Sequence, residues 1–165
     1  MQKNKMDSIV KFCFFLYIIV LIKLIIFKYS TEYLMGIVRT WEKGVILEGL
    51  STANFTPGKT IRMYIRYFPR FNGFPNLVGN VLAFIPYGYL LPRVYPRCRR
   101  WWRVFYCAVV FVLCIELFQL FSAFGAFDVD DIILNVSGAM IGYMIYSVYF
   151  KHKKYKKYKK VIDKR

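Results

Sequence analysis

Glu116 and Gln119 stand three residues apart inside an apolar run, so a helix there carries both on one face. A charged side chain at bilayer depth costs about 2.5–3.5 kcal/mol on insertion scales, and such a residue reads by default as part of a site. Two other apolar runs carry groups of the same kind. Asn80 lies in one, with Asn76 a turn earlier, and Asp131 opens the other, with Asn135 a turn later and Asp128 just ahead. At 1.5 Å of rise per residue, Asn80, Gln119 and Asn135 come roughly 5–8 Å below the outer helix ends and Glu116 roughly 12 Å below. Acids and amides from three helices thus share a height. They can accept hydrogen bonds from a ligand, or tie helices together by bonds worth well under about 2 kcal/mol each.

The acids allow proton chemistry. Glu116 could act as a general base, with Asp128 or Asp131 as acid or metal ligand, or as a proton-binding carboxylate of a transporter. Nucleophilic chemistry of the triad kind is unsupported, because the single histidine, His152, lies in the basic tail. Lys23, near the outer end of its run, is either a counter-ion to Glu116 or a lysine that snorkels to the interface. The four cysteines (Cys13, Cys98, Cys107 and Cys114) show no zinc-ligand spacing and no disulfide framework, and apolar packing is their expected role. No metal and no cofactor are expected.

The elements that must position these groups follow from composition. With 58% hydrophobic and 20% aromatic residues, a chain of 165 residues has too little interior to hide its apolar surface in water. The expectation is one all-α membrane domain over 1–165, built from four transmembrane helices at about 9–27, 77–91, 101–124 and 132–150. The first has a charged start but no small-residue cleavage site, so it is expected to be retained. Short connections make the last three antiparallel neighbours in sequence. Small residues Gly138 and Gly142 share a face with Asn135 and permit close helix approach, while Pro86 frees the carbonyl of Leu82.

The net charge of +16 sits outside the apolar runs. That fits orientation signals and anionic headgroups, and excludes a nucleic-acid partner, which needs a basic stripe on a soluble face. Lys3 and Lys5, the arginines at 93, 97, 99 and 100, and the tail 151–165 fall on one side of a four-span bundle. The loop GAFDVDD opposite them has no cation. Both termini are therefore expected in the cytoplasm. The loop 28–76 falls outside and still carries cations, including Lys28 and Lys43. Long loops obey the charge rule weakly. Within it Lys59, Arg62, Arg66 and Arg70 recur at helical spacing opposite Ile61, Tyr64, Ile65 and Phe68. After Thr56-Pro57 this predicts a short amphipathic helix in the interface.

These residues carry a resemblance. NVLAFIPYGYLLP, Asn80 to Pro92, and IELFQLFSAFGAFDVDDIILNVSGAMIGY, Ile115 to Tyr143, are similar to the VanZ-like family. In the second stretch Glu116 with Gln119, Asp128 with Asp131, and Asn135 with Gly138 match that family's paired polar signature. NFTPGKTI, Asn54 to Ile61, resembles its loop segment, with Gly58 where an aromatic is usual. The resemblance implies a protein of the bacterial cytoplasmic membrane, tied to susceptibility to teicoplanin or related lipoglycopeptides. It brings no established reaction.

The combined expectation is an outer-leaflet polar site. The loop cations Lys59, Arg62 and Arg66 would hold an anion, and Asn80, Glu116, Gln119, Asp128, Asp131 and Asn135 would bind the rest of the ligand. Suitable partners are membrane lipids, a lipid-linked cell-wall precursor, an anionic envelope polymer or the lipoglycopeptide itself. The alternatives are an enzyme acting on a lipid-linked substrate and a small proton-coupled transporter. With four helices and no internal repeat, the transporter would need a homo-oligomer.

Overall fold

The computed structural model describes residues 2–26, 30–39, 44–67 and 73–162. The helices are α1 (Gln2–Ile26), α2 (Thr31–Arg39), α3 (Gly44–Thr52), α4 (Lys59–Arg66), α5 (Gly73–Val94), α6 (Trp101–Ser122) and α7 (Val129–Ile162). A 3₁₀ turn, Pro96–Arg99, joins α5 to α6. Among the described residues, four stretches are long and apolar enough to cross a membrane, at Asp7–Ile25, Asn76–Val94, Trp101–Ser122 and Val129–Lys153. The chain is a multi-pass α-helical membrane protein, as its composition requires. Phe27, Lys28, Lys43, Phe68 and Arg70 lie outside the described residues.

Several boundaries differ from the sequence expectation. α5 starts at Gly73, four residues ahead of Leu77, with Pro75 near its beginning, where a missing N–H is harmless. α6 stops at Ser122 rather than Phe124 because Ala123 takes a left-handed conformation, φ 56°. α7 runs on through the basic tail to Ile162, since no glycine or proline interrupts it after Gly142. The stretch expected as loop contains α2 and α3. α2 has Glu32 in its first turn and Arg39 in its last, each complementing the helix dipole. α3 lies against α6, where Gly49 meets the Leu120 carbonyl.

α5 is the centre of the bundle, touching α1, α6 and α7. Phe84, Tyr87 and Leu91 from α5 share the core with Phe14 and Leu21 of α1, Val104, Ala108 and Val112 of α6, and Val136 and Ala139 of α7. Tyr87 stacks on Phe111 at 5.3 Å with the rings 2° from parallel. α1 is covered least: Phe12, Phe15, Ile19 and Leu24 are all exposed, a surface suited to lipid. The Tyr17 hydroxyl donates to the Ala83 carbonyl at 2.6 Å. That bond ties α1 to α5 at the turn where Pro86 removes an N–H, but through the carbonyl next to that of Leu82. Cys98 and Cys107 are half-buried against the core, whereas Cys13 and Cys114 are exposed on the apolar surface. Lys23 is exposed, as a snorkelling lysine is.

The closest contact in the bundle is α5 on α7. A methyl group on Gly138 would overlap the Val81 carbonyl, one on Gly142 the Ile85 carbonyl, and one on Gly88 the Ala139 carbonyl. Lipid supplies no hydrophobic drive for helices to associate, so backbone-to-backbone packing through glycine does that task. The pairing of 81 with 138 and 85 with 142 makes the helices parallel. Gly138→Ala and Gly142→Ala should each destabilise the bundle by about 2 kcal/mol or more, since the obstacle is backbone. Gly79, with nothing within 4 Å of an added methyl, is the control. Gly79→Ala should stay within about 0.5 kcal/mol of the parent in thermal unfolding in detergent.

Candidate functional site

The polar groups gather at the end of the bundle where α6 turns into α7, and the segment before α4 folds over that turn. Asn54 makes a parallel bridge with Asp128: its N–H donates to the Phe127 carbonyl at 2.8 Å and its carbonyl accepts from Val129 at 3.0 Å. The bridge brings an acidic turn and a basic helix into contact.

Asp128 caps α7, accepting the Asp130 N–H at 2.8 Å. The same carboxylate accepts Asn54 Nδ2 at 2.8 Å and the Thr60 hydroxyl at 2.5 Å. Asp130, fully buried, serves the other helix. It accepts N–H groups of Gly58 at 2.5 Å, Thr60 at 2.7 Å and Ile61 at 3.1 Å. These are the unpaired amides at the start of α4. The expected start at Thr56-Pro57 lies slightly early, because the residue before α4 is Gly58, at φ 81° and without a capping side chain. Asp130 therefore caps α4 from a distance of 72 residues in sequence, its charge at the positive end of the helix dipole. Sequence reasoning passed over Asp130. The available signal was a basic helix with no cap of its own, together with a third acid in DVDD.

The expected residues are placed as follows. Glu116, 1% exposed, accepts the Asp128 N–H at 2.9 Å and so pins the turn from below. Asn80 Nδ2 donates to Asp131 at 2.6 Å, joining α5 to α7. Asn76 is exposed. Gln119, expected beside Glu116, turns to α1 instead, donating to the Ile25 carbonyl at 3.2 Å. Gly125 packs over that amide, where an added methyl would come within 3.1 Å of it. Asn135 is 3% exposed, and its Oδ1 has no hydrogen-bond partner among the described residues. Lys59, Arg62 and Arg66 are exposed on α4, with Arg62 Nε donating back to the Gly58 carbonyl at 3.3 Å. The opposite side of α4 is only partly covered: Ile61 and Tyr64 are half-buried, whereas Ile65 is exposed, as suits a helix lying in an interface.

Chemically this is first a clamp. Both oxygens of Asp128 and of Asp130 receive donors from the loop, and Glu116 holds the turn that carries them. Among the described residues no three His, Cys, Asp or Glu side chains are grouped to hold a metal ion.

Asp130→Asn replaces a double acceptor by a group with one acceptor and a donor aimed at amides. It should release the start of α4 by at least about 2 kcal/mol, read as roughly 30-fold faster amide exchange at Thr60 and Ile61. Amides in the α5–α7 contact should keep their protection. Unchanged exchange at both loop amides would remove the capping role.

No curated protein and no solved structure matches the chain. A family model does, described as VanZ/LLP1 and aligned to residues 14–150, a span that reaches into all four apolar stretches and includes the whole loop clamp. Paired polar residues inside apolar helices, the loop segment and the glycine contact thus belong to one pattern spanning most of the sequence, and the chain is a member of the VanZ/LLP1 family.

Proposed function

We propose that the chain is a bacterial cytoplasmic-membrane protein that lowers susceptibility to teicoplanin or related lipoglycopeptides. On this reading the clamp end faces outward and holds a polar site for a lipid-linked or anionic envelope ligand. The observation that carries the proposal is the presentation of Lys59, Arg62 and Arg66 on a helix whose start is bound to a buried carboxylate. A clamped helix loses little freedom when it meets an anion, so its cations are preorganised. Guanidinium pairs with phosphate or carboxylate in two parallel bonds. In α7, the buried Asn135 oxygen, unpaired among the described residues, is an acceptor for a ligand hydroxyl or amide. A lipid-linked cell-wall precursor, an anionic envelope polymer and an acylated glycopeptide all combine these features.

The orientation is tested first. A reporter fused after Arg165 should report the cytoplasm and one inserted at Gly49 the exterior. The opposite result would put the clamp on the wrong side for this function.

The site is tested by susceptibility assays at matched protein level. Glu116→Gln keeps an oxygen to accept the Asp128 N–H, so the protein should accumulate normally while the resistance phenotype is lost. Arg62→Gln and Arg66→Gln should weaken the phenotype strongly, and Lys at either position should restore it only in part. Small, equal and additive losses at Lys59, Arg62 and Arg66 would instead describe a lipid anchor, at about 1 kcal/mol per charge.

A further inference from the structure

The end of the bundle opposite the clamp is chemically its inverse. A cleft of about 440 Å³ opens there between α1, α5, the 3₁₀ turn and α7. Its lining brings Lys11, Arg93, Arg99 and Lys153 together against one carboxylate, Asp7. Arg93 is held in place: its guanidinium carbon lies 5.4 Å from the Tyr89 ring centre and 6.0 Å from that of Phe150. The Tyr143 hydroxyl donates to the Arg99 carbonyl at 2.9 Å and fixes the turn to α7. Such a set of cations asks for a phosphate or carboxylate.

A second cleft, of about 540 Å³, lies beside it between α1, α5 and α6. Phe14, Ile18, Leu91 and Phe111 make its walls apolar, and it shares Lys11 and Val94 with the basic cleft. Lys11 and Val94 thus border both the basic cleft and the hydrocarbon-lined one. Free phosphate would fill the first and leave the second empty, whereas a lipid of matching charge fills both.

We propose that the two neighbouring clefts bind one anionic phospholipid, with its phosphate among Lys11, Arg93 and Arg99 and one acyl chain along Phe14, Ile18 and Leu91. Basic pockets between transmembrane helices recognise anionic headgroups in this way, and the apolar slot makes the recognition that of a lipid. The inference rests on no part of the antibiotic-susceptibility reading, because none of its residues belongs to the clamp.

The test is native mass spectrometry of the full chain in detergent, titrated with phosphatidylglycerol or with zwitterionic phosphatidylcholine. One phosphatidylglycerol should stay bound at collision energies that strip phosphatidylcholine. Lys11→Gln should weaken its binding about fivefold, and Arg93→Gln with Arg99→Gln about twentyfold. Lys151→Gln with Lys156→Gln, at exposed positions outside the cleft, should change it less than about twofold. Inorganic phosphate should not displace the lipid. Equal retention of the two lipids overturns the proposal, as does an equal loss in the tail variant, which is generic charge attraction. Displacement by inorganic phosphate overturns it too, leaving an anion site without a lipid. Should the double variant fail to fold, Lys11→Gln decides, since that side chain is exposed.

Discussion

A helix of eight residues is too short to persist in isolation, and α4 has no capping side chain of its own. What holds it is the Asp130 carboxylate, buried among three backbone amides. The dependence runs both ways. A buried carboxylate is tolerated only when its lone pairs are satisfied, and here the donors come from the open end of another helix. Removing either partner strands the other. The loop segment, the α6–α7 turn and the first turn of α7 therefore form as one unit, joined by the Asn54–Asp128 bridge and supported from inside by Glu116.

The unit sits where it does because of the glycine contact between α5 and α7. Gly138 and Gly142 let the two backbones meet at Val81 and Ile85. That register sets Asn80, the residue before Val81, at 2.6 Å from Asp131 on α7. Packing and polar recognition thus share one alignment. A shift of α5 along α7 would cost the Asn80 bond as well as the close approach.

The two ends of the bundle are built on opposite terms. At the clamp end the carboxylates of Glu116 and Asp130 are buried, those of Asp128 and Asp131 half-buried, all four hydrogen-bonded, and the cations stand outside them on α4. At the other end the cations line a cleft with a single acid, and an apolar cleft lies beside it. A chain of net charge +16 can be stable in a membrane with this layout because its positive groups lie near interfaces, where water and headgroups solvate them.

Four apolar runs, their spacing and the positions of the acids and amides inside them were legible in the sequence, because a bilayer penalises polar groups strongly enough to mark each one. The periodicity of Lys59, Arg62 and Arg66 was likewise enough to place a short helix. The partners of those groups were not legible. Glu116 and Gln119 share a helix face in sequence, yet one bonds the turn above and the other bonds α1. Asp130 drew no notice because its role depends on a segment 72 residues away being folded over it. Helical repetition is local and survives in one dimension. The choice of which acceptor meets which donor depends on how the loop folds back and how closely α5 can approach α7, and only the tertiary structure decides that.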